Sequence, residues 1–88
     1  PIIFVCENNF YAVNSPIAVS ELGHALAKKQ PPMALIWSER DGRVVVSMRS
    51  DGTVDVAQLA TKYGGGGHKA AAAFSLDVGE PKPWKIIR

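Results

Sequence analysis

The sequence predicts an α+β domain, α/β-like in its alternation. The expected architecture is a mixed sheet of about five strands packed with two main helices and a short helix after a glycine-rich loop. Three observations carry this expectation. Short β-branched, apolar runs alternate with segments whose apolar residues fall at helical spacing. An Asp-Gly pair, Asp41-Gly42, stands between two strand-like runs and marks a hairpin. The chain has 88 residues, enough for one domain with one modest core.

The first element is a buried strand from Ile2 to Cys6, apolar and β-branched. Asn8-Asn9 and Asn14-Ser15-Pro16 punctuate the next stretch, and Phe10 to Val13 between them reads as irregular or as a second short extended piece. Ser20 is a suitable N-cap with Glu21 at the first helical position. Leu22, Ala25, Leu26 and Lys29 come next at helical spacing. Lys28 and Lys29 suit the negative end of the helix dipole, and Pro31-Pro32 stops the helix. Met33 to Trp37 is the next strand. Arg43 to Met48 returns after the Asp-Gly turn, and its consecutive Val44, Val45 and Val46 predict a strand covered on both faces.

Asp51-Gly52-Thr53 is a turn. Asp55 then reads as the N-cap of a second helix, with Gln58 completing a variant capping box. That helix carries Val56, Leu59, Ala60 and Tyr63, and Gly64 is its natural C-terminal glycine. Lys69 to Ala72 is expected to form the short helix, because alanine is the best helix former. Phe74 to Val78 reads as a strand, Gly79 to Pro83 as a turn, and Trp84 to Ile87 as a final edge strand or a frayed end. No internal repeat is present.

Composition narrows the function classes. A hydrophobic fraction of 47% and a charged fraction of 20% are ordinary for a soluble globular domain. No apolar run approaches the ~20 residues of a membrane span. The net charge of +2 is compatible with an anionic ligand and too small to argue for a non-specific nucleic-acid binder. The single cysteine, Cys6, reads as a buried inert thiol and rules out a disulfide within the chain, so a reducing cytoplasm is the default expectation. The chain starts at Pro1 with a strand-like run, so a fragment of a longer protein is expected, with residues 1–88 as a single domain.

The chemistry-bearing stretch is Gly64-Gly65-Gly66-Gly67-His68-Lys69. Glycines let the backbone take positive φ and let a ligand approach N–H groups closely. A helix starting just after the loop would add unpaired N–H groups and the positive end of its dipole, so the stretch reads as a phosphate cradle with His68 and Lys69 as extra donors. A flexible linker is the plain alternative. The loop lacks the Gly-Lys-Ser/Thr ending of a Walker loop. It also comes after a helix rather than a strand, unlike a dinucleotide fingerprint.

Arg49 is the second candidate, at the end of a strand and flanked by Ser47 and Ser50; a rigidly held guanidinium suits bidentate phosphate binding, and a surface salt bridge is the alternative. His68 has no second His, Cys or carboxylate at a ligand spacing, so a metal role is the weakest of its options. His24 reads as structural or solvated. Paired carboxylates for acid–base work are not convincing: Glu39 and Asp41 belong to the hairpin and Asp55 to the cap. Trp37 and Trp84 are expected in core or rim packing rather than stacked on a base.

Ser47-Met48-Arg49-Ser50, Val54-Asp55-Val56-Ala57 to Ala60, and Gly65-Gly66-Gly67-His68-Lys69 with the alanines and Phe74 together resemble the DHH-associated C-terminal domain of DHH-family phosphoesterases. Ser20-Glu21-Leu22-Gly23-His24-Ala25-Leu26 is similar to that domain's first helix. The resemblance covers most of the chain, and the glycine–histidine motif at its spacing from the Ser-x-Arg-Ser segment is its specific part. Ala70 and Ala73 stand where the family usually has Asn and Gly, and Met48 where Leu is common.

The resemblance implies a division of labour. An N-terminal DHH domain of the same chain would hold two divalent metals, usually manganese, and this C-terminal domain would bind the phosphate of a nucleotide or short oligonucleotide. Arg49 and Ser50 would contact phosphate, the backbone of Gly65, Gly66 and Gly67 would cradle it, and His68 would donate to it. The parent would be a phosphoesterase, with no catalytic residue, metal ligand or cofactor in this chain and no activity from it alone. Two alternatives stay open. One is a nucleic-acid-binding module resembling the C-terminal domain of alanyl-tRNA synthetases, for which the tail cluster Lys82, Lys85 and Arg88 is the sole basic patch. The other is an interaction or dimerisation domain with a vestigial glycine loop; a homodimer is compatible with any of the three.

Overall fold

A computed structural model of the chain describes residues 3–5, 10–17 and 19–81. The expectations at Cys6, for the strand at Trp84–Ile87 and for the cluster Lys82, Lys85 and Arg88 lie outside these residues. Strand β1 is Ile3–Val5 and β2 is Tyr11–Asn14. Helix α1 (Val19–Lys29) leads to β3 (Met33–Arg40), which turns at Asp41-Gly42 into β4 (Arg43–Ser50). Helix α2 is Val56–Thr61, and the chain closes with β5 (Gly66–His68) and β6 (Ala71–Asp77).

The described strands form one sheet in the order β1-β2-β3-β4-β6-β5. β2 and β3 run parallel, joined by the α1 crossover, and every other neighbouring pair is antiparallel. The expected α+β class, mixed sheet and two helices are therefore present. The extended reading of the segment after Asn8-Asn9 is the one realised, as β2.

The short helix expected at Lys69–Ala72 does not form. Gly66, Gly67 and His68 pair with Ala73, Ala72 and Ala71 instead, so the stretch is a hairpin with Lys69 and Ala70 in its turn. Burial decides the competition. Ala72, Phe74 and Leu76 alternate into the core along β6, a period-two pattern that a helix would break. Packing of this kind routinely overrides the intrinsic helix preference of alanine.

The helices cover opposite faces of the sheet. Leu26 and Ala27 of α1 pack with Val13, Ala34 and Ile36. Val56 and Ala60 of α2 pack with Ala12, Leu35, Val44, Val46, Met48, Ala72, Phe74 and Leu76. On β3, Leu35 belongs to one cluster and its neighbours Ala34 and Ile36 to the other, as strand alternation requires. Val44 and Val46 are buried and Val45 between them half-buried, as expected for a strand with layers on both sides. Tyr63, just after α2, stacks on Phe74 with ring centroids 4.8 Å apart and 25° between planes.

Local chemistry sets the ends of α2. The Asp55 carboxylate accepts from the N–H groups of Ala57 (3.0 Å) and Gln58 (3.2 Å). Asp55→Ala is expected to cost about 1 kcal/mol of stability by urea denaturation. At the other end, Gly65 N–H donates to Ala60 C=O and Gly64 N–H to Thr61 C=O, the bond pair of a Schellman ending, with Gly64 at φ +83°.

In the turn before α2, Asp51 accepts from the Thr53 hydroxyl (2.6 Å) and the Thr53 N–H (2.9 Å), which hold its carboxyl below the usual value. A carboxyl lowered in the folded state stabilises it above the unfolded pKa, and that contribution is lost as pH falls through the folded pKa. Thr53→Val is expected to raise the Asp51 titration midpoint in an NMR pH series.

Candidate functional site

Pairing register brings the two leading candidates into one row. His68 on β5 lies opposite Ala71 on β6, which lies opposite Arg49 on β4, which lies opposite Ala34 on β3. Residues directly opposite across a sheet share a face. His68 and Arg49 thus project from the α1 side with only a methyl group between them, their backbones about 10 Å apart, two strand spacings. The adjacent row on the same face is Gly66, Ala73, Ser47 and Ile36. Helix α1 packs on β3 and β4, so the site opens where the helix stops and the small residues of β6 begin.

Arg49 is held from below and from one side. Its stem runs beneath Gly23 of α1, where an added Cβ would overlap Arg49 Cγ and come within 2.9 Å of Ile36 Cδ1. Its Nη2 donates to Ser20 Oγ (3.1 Å) and its Nη1 to Met48 C=O (2.9 Å). A guanidinium has five N–H donors, so these bonds orient it and leave three donors for a ligand. Ser20, expected as the N-cap of α1, lies inside the first turn, and its hydroxyl serves Arg49. Sequence reasoning missed both helix contacts. The available signal was Gly23 itself, a glycine inside a helical pattern between Leu22 and Leu26, which costs helix stability unless something packs against it.

Ser50 lies on the opposite face from Arg49 and is buried. Its hydroxyl donates to Val54 C=O (2.8 Å), lies 3.3 Å from Lys69 C=O and accepts from Gly52 N–H (3.1 Å). Lys69 C=O also accepts from Val56 N–H (3.0 Å), and Ser50 N–H donates to Ala70 C=O (2.9 Å). Ser50 therefore ties the hairpin tip to the first turn of α2. With Val56, Ala57 and Gln58 all donating within the protein, the start of α2 is closed to an anion.

The four glycines differ. Gly65 has its N–H committed to Ala60, and a Cβ there would collide with Ala73 C=O and Phe74. Gly67 has φ +146°, and a Cβ would lie 2.6 Å from both Ala71 O and Ala72 Cα. Gly66 is exposed, with nothing within 4 Å of an added Cβ. β5 is an edge strand, so one side of its backbone is unpaired with any described strand. His68 and Lys69 are exposed.

The helix start on which the phosphate cradle was built is absent, because a strand stands in its place. What the fold supplies is a guanidinium, an imidazole and an open strand edge on one side of a shallow floor, with the Lys69 ammonium at the hairpin tip. This donor set suits an anion. Among the described residues no three His, Cys, Asp or Glu side chains come together as metal ligands. His24 is exposed on α1, and Trp37 packs half-buried against the core. No helix among the described residues is long and apolar enough to cross a membrane.

Comparison with known proteins gives the family of the chain. The family model for the DHHA1 domain matches residues 2–83. The chain belongs to the DHHA1 domain family. A curated relative of this DHHA1 domain is oligoribonuclease NrnB from Bacillus subtilis (strain 168), 36% identical over 74 residues, which are 83% of this chain and 18% of NrnB. Two solved structures share the fold. A crystal structure of an uncharacterised protein from Helicobacter pylori G27 has a TM-score of 0.65 at 24% identity, over 82% of this chain and 21% of that one. The pGpG-specific phosphodiesterase PggH from Vibrio cholerae has a TM-score of 0.58 at 16% identity, over 80% of this chain and 28% of that one. The DHHA1 domain seen here thus spans between 18% and 28% of the length of these relatives.

Proposed function

We propose that this chain is the substrate-binding domain of a DHH-family phosphoesterase and that it takes the phosphate of a nucleotide or short oligonucleotide over Ala71, between Arg49 and His68. The observation that carries the reading is the shared cross-strand row of His68, Ala71 and Arg49. Similarity to an oligoribonuclease over most of the chain supports the substrate class.

In this reading the Arg49 fork binds two phosphate oxygens and His68 donates from the far side of the floor. Lys69 adds positive charge at the hairpin tip, and Gly67, whose N–H alternates away from β6, offers a backbone donor on the free edge. Gly65 and Ser50 act by holding the hairpin in place rather than by touching the ligand. Hydrolysis belongs to an N-terminal DHH domain of the parent chain, where divalent metal, manganese in this reading, would activate water and clamp the reacting oxygens. The cationic donors of this chain do not suit such a metal, and no step here is assigned to it.

The test is calorimetric titration of the chain with adenosine monophosphate and a two-nucleotide RNA, without metal. Wild type is expected to bind both. Arg49→Met keeps the apolar stem under Gly23 and deletes the charge. It should weaken binding by about 10- to 100-fold, the worth of charge-assisted hydrogen bonds. Unchanged affinity in both Arg49→Met and His68→Ala would remove the site.

A further inference from the structure

We infer that Ser20 and Gly23 of α1 are positioning residues for the anion-binding arginine. The inference rests on the site reading proposed for Arg49 and His68. Both α1 residues act on Arg49, at different points of its side chain. Gly23 is buried, and the absence of a Cβ lets α1 settle directly on Arg49 Cβ and Cγ. The stem is thereby confined between helix and strand, which removes rotamer freedom that a long side chain otherwise keeps. Ser20 lies one helical turn before Gly23, on the same side of α1. Its hydroxyl takes Nη2 at 3.1 Å, while Met48 C=O takes Nη1 at 2.9 Å.

The two contacts divide the work: one fixes where the stem leaves the sheet, the other fixes the rotation of the guanidinium plane. A guanidinium fork binds phosphate bidentately only when that plane is set. A glycine in the interior of an 11-residue helix and an exposed serine without a capping bond among the described residues are otherwise unfavourable choices there. Holding Arg49 accounts for both.

The experiment is a pairwise cycle read by adenosine monophosphate affinity and by the NMR signal of the Arg49 Nε–H. Ser20→Ala is expected to weaken binding about three- to tenfold, the worth of one hydrogen bond to a charged group. The same change in an Arg49→Met background should add nothing. Ser20→Thr, which restores the hydroxyl, should restore affinity. Gly23→Ala should weaken binding about tenfold or more by displacing the Arg49 stem, and both single changes should shift the Arg49 Nε–H signal. An equal loss from Ser20→Ala in both backgrounds, or an Arg49 signal unmoved by it, would overturn the positioning role. Failure of wild type to bind any nucleotide would instead defeat the underlying site, and the Arg49 signal would still decide whether α1 positions the side chain.

Discussion

Gly67→Ala is expected to cost about 2–4 kcal/mol of folding stability, combining a strained positive φ with steric overlap. At φ +146° an alanine is strained whatever space surrounds it, and its Cβ would lie 2.6 Å from Ala71 O and Ala72 Cα. The obstacles are backbone atoms of the paired strand, so no side-chain rotation relieves them. Either β5 separates from β6 or the hairpin shifts, and in both cases His68 leaves its place opposite Ala71. Gly66→Ala is the internal control: the same chemical change one residue away meets nothing within 4 Å and should stay within about 0.5 kcal/mol of wild type. Urea denaturation of the two variants side by side checks this. Equal stabilities would mean that the loop does not hold the backbone described here.

Loss of the Arg49 charge is the second large effect, and it falls on binding rather than folding. Arg49→Met should leave the urea midpoint nearly unchanged, because the apolar stem carries the packing under Gly23. Nucleotide affinity should fall about 10- to 100-fold. Arg49→Lys should recover only part of it, since a point charge cannot reproduce the bidentate fork. Combining Arg49→Met with His68→Ala should cost less than the sum of the two losses, as expected for groups that meet on one ligand. Strict additivity would place them on separate sites.

The sequence was readable where local chemistry decides the structure. Asp55 before Val56 announced a cap and is one; Gly64 announced a helix ending and takes the positive φ that the ending needs. Asp41-Gly42 turns β3 into β4, and Pro31-Pro32 separates α1 from β3. The sequence misled where distant contacts decide. Ala70 to Ala73 favour helix among their neighbours alone, but Ala72 is buried against the layer formed by α2 and the β-strands, and that burial selects a strand.

The phosphate cradle expected from the sequence rests on a helix start after the glycines, and the fold places a strand there instead. Register nevertheless sets two of the expected residues, His68 and Arg49, in one row, while Ser50 lies buried on the opposite face and Gly65 is bonded to α2. Ser20 shows the same limit. Its residue type and place in the sequence predict a cap, and only the packing of α1 on β4 gives its hydroxyl to Arg49.

The most direct test of the central claim is an NMR titration of the backbone amides and the arginine Nε–H groups of the chain with adenosine monophosphate. Saturable shifts should cluster at Ser47, Arg49 and Gly66 to Ala71, with the Arg49 Nε–H among the largest. Shifts confined to the shallow cavity lined by Asn14, Pro16, Ser38 and Glu39, farther along β3, would contradict the account.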